Sequence, residues 1–583
     1  MAGLFLVRTD DAVFAEHALA AARAQFERHG FSSLTERALP GWHLIHAPPI
    51  LGGPPSLLID GTDFVAVAGT VCFDGKIGAD GLAALLAHAA LPHPDWSRLS
   101  GQFVALISRQ GRTFLLTDFF GAFQIFHDEA MRLFSTTLLA AAQALPRLRF
   151  DAQSVYEFAF NVVPIGNDSV FEELALLGPE HVAELTEQGC ILHPIAKPLP
   201  TRPVAMKLAD RLEAHRHRLG AVMRHHVAHF GDQVQCALSG GLDSRLVMAA
   251  LRAEGCRPHL FVYGPADSAD VRIARQIAAA EGYPIDWRDK EADPIEPEDF
   301  PAQVERNFQR YDALPNFGEL FENGANGAAL DARHAEGALS ASGGCGEIYR
   351  NFFFLPDGPA TTASVARSFF ARFIRQDVTD GFDERHFLGT IDRKIRTALA
   401  LPLEEKGRVP RAHLEQIYPR VRCRALFGRE ISIEARHGAY LMPFLDHQVV
   451  AEALTLPMAL KHAGRFEALL LQAIDPALAG HDSAYGHDFA RAPSVRHRFD
   501  EWSTRIRPAW VRQKSYALQR RLRPMADEHG GIFDPDYMGR VIDLDFPAMR
   551  RYFRMENIRD QSVWRRIACL EYLAGHLGSR LVG

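Results

Sequence analysis

The sequence predicts an α/β protein in two parts: an N-terminal α+β unit, then a unit built on a parallel sheet that becomes mainly helical towards its end. Two observations support this prediction. Short apolar runs separated by turns predominate up to about residue 195. From residue 207, segments with helical apolar periodicity alternate with short apolar strands, which indicates parallel strands joined by crossover helices.

The elements of the first part follow from its apolar runs and turn residues. Predicted strands cover 64–71, 103–107 and 114–117, and predicted helices cover 12–29 and 79–90. A Pro-rich segment at 197–203 reads as a connector. We therefore place a domain boundary there, giving domains 1–200 and 204–583.

The second part alternates regularly before its helical end. We predict helix 207–230, strand 234–238, helix 244–254, strand 259–263, helix 268–281 and strand 284–288, with mainly helical structure from about residue 360. Ligands bind such sheets at the carboxyl ends of their strands.

One loop at such an end has the features of an anion site. Ser239-Gly240-Gly241-Leu242-Asp243-Ser244 joins a buried strand to a helix start. Helix N–H groups and the helix dipole attract anions, and glycines let the backbone approach them closely. Asp243 would repel a bare phosphate, so its presence suggests Mg²⁺ shared with phosphate oxygens. A strand-to-helix turn without a ligand is the alternative.

Composition excludes several classes of protein. The 583 residues carry a net charge of −7, which argues against a dedicated nucleic-acid binder. No apolar stretch has the length of a membrane span, and no signal peptide is predicted at the N-terminus. The seven cysteines have no zinc-binding spacing, and an odd, dispersed set suits a reducing cytoplasm.

The loop resembles the pyrophosphate loop of the ATP-pyrophosphatases, and the chain as a whole resembles the asparagine synthetase family. Further segments before and after the loop resemble family segments in the same order along the chain: 99–103, 118–121, 261–264, 342–349 and 443–447. The resemblance implies an Ntn-hydrolase-like sandwich, a degenerate glutamine amidotransferase-like domain, for 1–200. It implies an adenine nucleotide α-hydrolase-like synthetase domain for 204–583.

The resemblance also implies the site residues. Asp243 and Glu347 would be catalytic and would bind Mg²⁺. The remaining ATP contacts would come from the first loop, the following strand and a second glycine loop: Leu238, Ser239, Gly240, Gly241, Leu242, Ser244, Val262, Tyr263, Gly264, Ser342, Gly343 and Gly344.

Four positions depart from the family pattern. Ala2 replaces the cysteine nucleophile of the glutaminase, and nucleophilic catalysis needs a thiol or hydroxyl. Gly346 stands where the second loop has an Asp beside the Glu. Ala439 replaces the Glu associated with the proton of incoming ammonia. The late Lys has no clear match, and its stretch aligns with 482–489.

These departures resemble the lasso-peptide cyclases and β-lactam synthetases of the family. They imply a glutamine-independent, AMP-forming ligase that adenylates a carboxylate and closes a macrolactam in a lasso-type peptide. The substrate would be a peptide or amino-acid-derived carboxylate, with a leader-peptide protease as a partner. The alternatives are an ammonia-dependent asparagine synthetase-like enzyme and a non-catalytic nucleotide-binding member.

Individual residues also have structural interpretations. Asp243 suits a helix N-cap, and Glu347 suits a first-turn carboxylate that complements the helix dipole. Cys345 is interpreted as a small buried residue, and Asp446 is open between structure and catalysis. The Arg-rich region 496–566 suggests either a solvated helical face or a dock for an acidic peptide or partner protein.

Overall fold

The structure is a computed structural model that describes residues 3–316, 319–404, 407–522 and 531–582. Ala2 lies outside the described residues. The fold is mixed α/β, with two antiparallel sheets, one parallel sheet and many helices. Among the described residues, no helix combines the length and apolarity needed to cross a membrane.

The first part of the chain forms the two antiparallel sheets. Its strands are β1 Gly3–Arg8, β2 Thr35–Leu39, β3 Trp42–Ala47, β4 Leu57–Asp60, β5 Asp63–Phe73, β6 Leu99–Arg109, β7 Arg112–Thr117, β8 Phe126–Asp128, β9 Leu133–Ser135, β10 Leu174–Leu176, β11 His181–Thr186 and β12 Gly189–Pro194. The helices are α1 Ala12–Arg28, α2 Gly78–His88, α3 Leu138–Ala144 and α4 Ala152–Asn161. The strand orders are β10-β8-β9-β1-β3-β2 and β12-β11-β7-β6-β5-β4.

Side-chain alternation explains how the second of these sheets is buried on both faces. In β5, Phe64 and Ala66 join the main core with β1 and β3, whereas Val65 and Val67 pack towards α2. Successive side chains of a strand point to opposite faces, so this one strand contributes to two apolar layers. The predicted strands 64–71, 103–107 and 114–117 lie within β5, β6 and β7.

The second part contains the parallel sheet, in the order β15-β14-β13-β16-β17. Its strands are β13 Val234–Ala237, β14 His259–Tyr263, β15 Ile285–Arg288, β16 Leu339–Ala341 and β17 Ala439–Leu441. Helices α5 Leu208–Phe230, α6 Asp243–Ala253, α7 Ala269–Glu281, α8 Phe300–Arg310 and α9 Ala325–His334 accompany the first four strands. The six elements predicted between 207 and 288 are confirmed within one residue at every end. β16 and β17 were not predicted as strands.

The remainder is mainly helical, as expected, with β17 as the exception. The helices are α10 Thr362–Val365, α11 Glu384–Ala398, α12 Arg411–Leu414, α13 Arg424–His437, α14 His447–Leu454, α15 Met458–Lys461, α16 Arg465–Ile474, α17 Pro476–Ala479, α18 Val495–Arg505, α19 Ala509–Leu522, α20 Pro535–Met538 and α21 Gln561–Leu577. The predicted connector lies between β12 and α5, and the domain boundary itself stays a prediction.

Candidate functional site

The glycine loop follows the central strand of the parallel sheet. β13 ends at Ala237, α6 begins at Asp243, and β14 and β16 lie on either side of β13. The predicted strand, turn and helix are therefore present in this order. The first N–H groups of α6 have no acceptor within their own helix, so the loop end of α6 presents donors to an anion.

Side-chain hydrogen bonds fix the shape of this loop. Ser244 Oγ accepts from the backbone N–H of Ser239 at 3.0 Å and lies 2.9 Å from Ser239 Oγ. Ser239 Oγ also accepts from the N–H of Gly241 at 3.1 Å. Asp270, at the start of α7, accepts from the N–H of Gly240 at 2.9 Å. The two serines thus hold the turn closed, and their hydroxyls line it.

A segment from the C-terminal part lies against the same loop. Ala484 N–H donates to Gly240 O at 3.0 Å, and the fully buried Arg245 donates to His481 O at 2.9 Å. The Arg245 guanidinium also lies 4.9 Å from the centre of the Phe489 ring. The stretch 482–489, aligned in sequence with the family's late Lys, is therefore next to the loop. It offers Tyr485 at this place and no lysine.

The second glycine loop packs directly onto the first. It follows β16, the neighbour of β13, and a Cβ at Gly343 would lie 2.9 Å from Ser244 N. A Cβ at Gly346 would lie 2.0 Å from Asp243 Oδ1, well inside van der Waals contact. Position 346 therefore has no room for the Asp of the family pattern while Asp243 keeps this position.

Asp243 makes an ion pair instead of capping its helix. The N-cap position belongs to Leu242, and Asp243 is the first helical residue. Its Oδ1 accepts a hydrogen bond from Arg350 Nη2 at 2.6 Å, and both side chains remain 23% exposed. The alternative interpretation of Asp243 as an N-cap is wrong, because its carboxylate faces the second loop rather than its own helix N–H groups.

Arg350 links Asp243 to a second, buried carboxylate. Arg350 Nε donates to Glu467 Oε2 at 2.8 Å, and the Glu467 side chain is fully buried in α16. Burial disfavours the charged guanidinium, but Asp243 and Glu467 hold the pKa of Arg350 above its ordinary value. Burial raises the pKa of Glu467. Sequence reasoning missed both residues, although Arg350 comes directly after the second-loop motif.

Glu347 lies in the short 3₁₀ turn Gly346–Tyr349 that follows the second loop. Its Oε2 accepts a hydrogen bond from the hydroxyl of Tyr418 at 2.5 Å. Burial raises the pKa of Tyr418 well above its ordinary value, so this phenol stays protonated and donates. Tyr418 had no signal in the sequence, because it comes from a distant helical segment.

Other residues considered in the sequence analysis lie at a strand end or in the core. Val262, Tyr263 and Gly264 extend past Phe261, the last residue of β14 paired with β13, so their edge towards the loop is not covered by β13. Cys345 is buried, and burial raises the pKa of its thiol well above the ordinary value, which suits a core residue. Ala439 is fully buried at the start of β17.

These residues define what the site can do. The start of α6 and the backbone N–H groups of the first loop are the donors that this site presents to an anion, beside the paired Ser239 and Ser244 hydroxyls. Mg²⁺ needs one or two carboxylates when phosphates supply further ligands, and Asp243 and Glu347 are the carboxylates that could provide them. The described residues contain no group of three or more His, Cys, Asp or Glu arranged to hold a metal alone.

No family model matches the chain, and no curated protein matches it. The solved structures that are similar to this chain include the following two. An allosteric regulatory enzyme of purine biosynthesis has 11% identity and a TM-score of 0.23, over 51% of this chain and 82% of that one. The glutamine phosphoribosylpyrophosphate amidotransferase from B. subtilis has 12% identity and a TM-score of 0.23, over 49% and 65%, just under two thirds of its length.

Asp446, which the sequence left open, caps a helix. It precedes α14, and its Oδ1 accepts from Gln448 N–H at 2.9 Å and Val449 N–H at 3.4 Å. We expect Asp446→Ala to lower the free energy of unfolding by about 1 kcal/mol, as for other lost caps. Asp446→Asn, which retains the acceptor, should keep it within a few tenths. Urea unfolding checks this, and equal stability of the Ala variant would contradict it.

Proposed function

We propose that the protein is an ATP-dependent carbon–nitrogen ligase that adenylates a carboxylate and then forms an amide. The observation that most supports this proposal is that the two glycine loops, which follow neighbouring parallel strands, pack against each other at Asp243. A helix start, two hydroxyls and a carboxylate paired with an arginine then face one cradle. The first 200 residues would be an Ntn-hydrolase-like domain that is kept as a structural support.

The chain's own groups would act as follows. The loop N–H groups and the Ser239 and Ser244 hydroxyls would bind the pyrophosphate portion of ATP, and Asp243 and Glu347 would hold Mg²⁺. Arg350 adds a positive charge next to Asp243. The substrate carboxylate attacks the α-phosphorus, the bond to the pyrophosphate oxygen breaks, and pyrophosphate leaves. An amine then attacks the acyl carbon, AMP leaves, and the amine loses a proton.

We propose further that the amine belongs to the same peptide, so that the product is a macrolactam. The buried Ala439 provides no carboxylate to accept a proton from ammonia. A well-oriented intramolecular attack gains roughly 7–11 kcal/mol over a bimolecular step, which removes the need to capture free ammonia. A leader-peptide protease would supply the free amine of such a substrate.

The products of ATP turnover test the ligase proposal. Purified protein with ATP, Mg²⁺ and a peptide carboxylate substrate should release AMP and pyrophosphate, identified by ³¹P NMR. Neither should form when the peptide is left out. Formation of ADP and phosphate would contradict adenylation, because the bond to the γ-phosphate would then be the one that breaks.

A second candidate function is nucleotide binding without catalysis. The ion pair of Asp243 with Arg350 favours it, since a carboxylate neutralised by arginine is a weaker ligand for Mg²⁺. Isothermal titration would show ATP binding in this case, with an affinity unchanged by Mg²⁺ and with no pyrophosphate released by any peptide.

We expect no glutaminase activity, because Ala2 has no nucleophilic side chain. Purified protein incubated with glutamine, with and without ATP, should form no glutamate above an enzyme-free blank. Ala2→Cys alone is not expected to restore full activity. Glutamate production by the unaltered protein would contradict the assignment of its N-terminal part as a support.

A further inference from the structure

A second cleft, of about 260 Å³, opens between α19, the segment 372–377 and the residues that precede α21. None of the residues that line it belongs to the two glycine loops. Four guanidinium groups and two carboxylates line it: Arg372, Arg520, Arg521, Arg559, Asp377 and Asp560.

The charges of this cleft do not balance. Asp560 forms an ion pair with Arg520 and caps α21 by accepting from Ser562 N–H at 2.9 Å. In the part of the chain that the structure describes, the other three arginines form no close ion pair, although Arg559 lies near enough to Asp377 to lower the pKa of that carboxyl. Arg372 is held by the ring of Phe369, whose centre lies 4.5 Å from its guanidinium carbon.

Asp377 offsets only part of this positive charge at neutral pH. Burial, with a smaller contribution from Asp560, raises the pKa of Asp377 to about 7. A large fraction of this carboxyl group is therefore protonated at pH 7. The cleft keeps an excess of positive charge, although the whole chain has a net charge of −7.

An exposed apolar stripe borders the cleft on α19. Trp510, Leu518 and Leu522 are 56%, 56% and 72% exposed. At 100° per residue, Lys514 and Arg521 lie within the sector of these side chains; the Lys514 ammonium lies 5.5 Å from the centre of the Trp510 ring, and Arg521 also lines the cleft. From Trp510 to Leu522 the stripe runs about 18 Å, at 1.5 Å per residue.

We propose that the cleft and this stripe bind an acidic, amphipathic segment of a polypeptide. Its carboxylates would enter the cleft and pair with Arg372, Arg521 and Arg559, and its apolar side chains would cover the stripe. A single small anion would fill the cleft but leave the stripe exposed. A planar lipid surface would cover the stripe but not reach guanidiniums that line a cleft.

This inference deepens the proposed function and rests on it only for the view that the bound polypeptide is the substrate. Residues 491–522 contain nine Lys or Arg and two acidic residues, so they would attract an acidic segment at long range. The interaction of exposed charges is screened by salt, so binding should weaken as ionic strength rises.

Fluorescence anisotropy without nucleotide tests the inference independently of ligase activity. The probe is a rhodamine-labelled peptide of four Glu-Leu-Leu-Glu repeats, with a Gln-Leu-Leu-Gln peptide as its neutral counterpart. We expect the acidic peptide to bind the wild-type protein and the neutral peptide to bind at least about 10-fold more weakly, since charge-assisted bonds are lost. The double variant Arg372→Gln/Arg559→Gln should weaken the acidic peptide by a similar factor.

The control is Arg147→Gln/Arg306→Gln, which removes two exposed arginines that have no carboxylate partner among the described residues. It should bind the acidic peptide as the wild type does. No binding of the acidic peptide, equal binding of both peptides, or equal losses in both double variants would overturn the inference. Two further results would overturn the inference. One is competition by inorganic phosphate at low millimolar concentration; the other is binding of the protein to anionic phosphatidylserine vesicles that is the same in the wild type and in Arg372→Gln/Arg559→Gln.

Discussion

Asp243→Asn is expected to reduce peptide-dependent pyrophosphate release by on the order of 10²-fold or more, as for other groups that stabilise charge in a transition state. The neutral amide is a poor ligand for a hard cation, and it also leaves Arg350 without one of its two carboxylates. Pyrophosphate release in a coupled assay is the measurement.

Asp270→Asn is the matched control for this variant. Asp270 contacts the same loop by accepting a hydrogen bond from Gly240 N–H, and the amide oxygen of Asn can accept the same bond. Its rate should remain within a few-fold of the wild type. Wild-type release by a folded Asp243→Asn protein would show that the carboxylate is not needed for adenylation.

Arg350→Ala is expected to have the largest effect on stability. Breaking a buried ion pair by removing one partner costs about 3–5 kcal/mol, because the other charge stays buried without compensation. Here that charge belongs to the fully buried Glu467, which is charged only above its raised pKa, so this loss applies at the higher pH. Arg350→Lys keeps a cation at this place and should lose less. The free energies of unfolding in urea measure both variants.

The loss in Arg350→Ala should depend on pH. Burial raises the pKa of Glu467 in the folded protein, and removing the guanidinium raises it further. A group with a raised folded pKa stabilises the fold at low pH, and this stability is lost as pH rises through that pKa. The variant should therefore be less destabilised at about pH 5 than at about pH 8. Glu467→Gln in the same protein should recover stability at the higher pH; no recovery would contradict the pairing.

Much of the fold could be predicted from periodicity alone. The helices and strands between 207 and 288 are long enough to show their apolar period, and turns mark their ends. β16 and β17 have three residues each, so no period can appear in them. They are strands because β16 pairs in parallel with β13 and β17 pairs in parallel with β16, and such pairing depends on the tertiary fold.

The site divides in the same way. Each of its two glycine loops is a continuous stretch of sequence, so both loops can be predicted as motifs. Glu467 lies in α16 and Tyr418 begins a π-helical segment. Only folding links Glu467 to Asp243 through Arg350 and brings the Tyr418 hydroxyl to Glu347. The surroundings of Gly346 could also be known only from the structure. The sequence shows that a carboxylate is missing at position 346, but it does not show that an oxygen of Asp243 lies where a side chain at this position would begin.

Mass spectrometry of the product tests the central claim most directly. The protein would be incubated with ATP, Mg²⁺, ¹⁵N-labelled ammonium and a linear peptide that carries both a free amine and a free carboxylate. The account predicts a product that has lost one water and contains no ¹⁵N, formed together with AMP. Incorporation of ¹⁵N would contradict ring closure and indicate an ammonia-dependent synthetase, and an unchanged peptide with intact ATP would contradict the ligase itself.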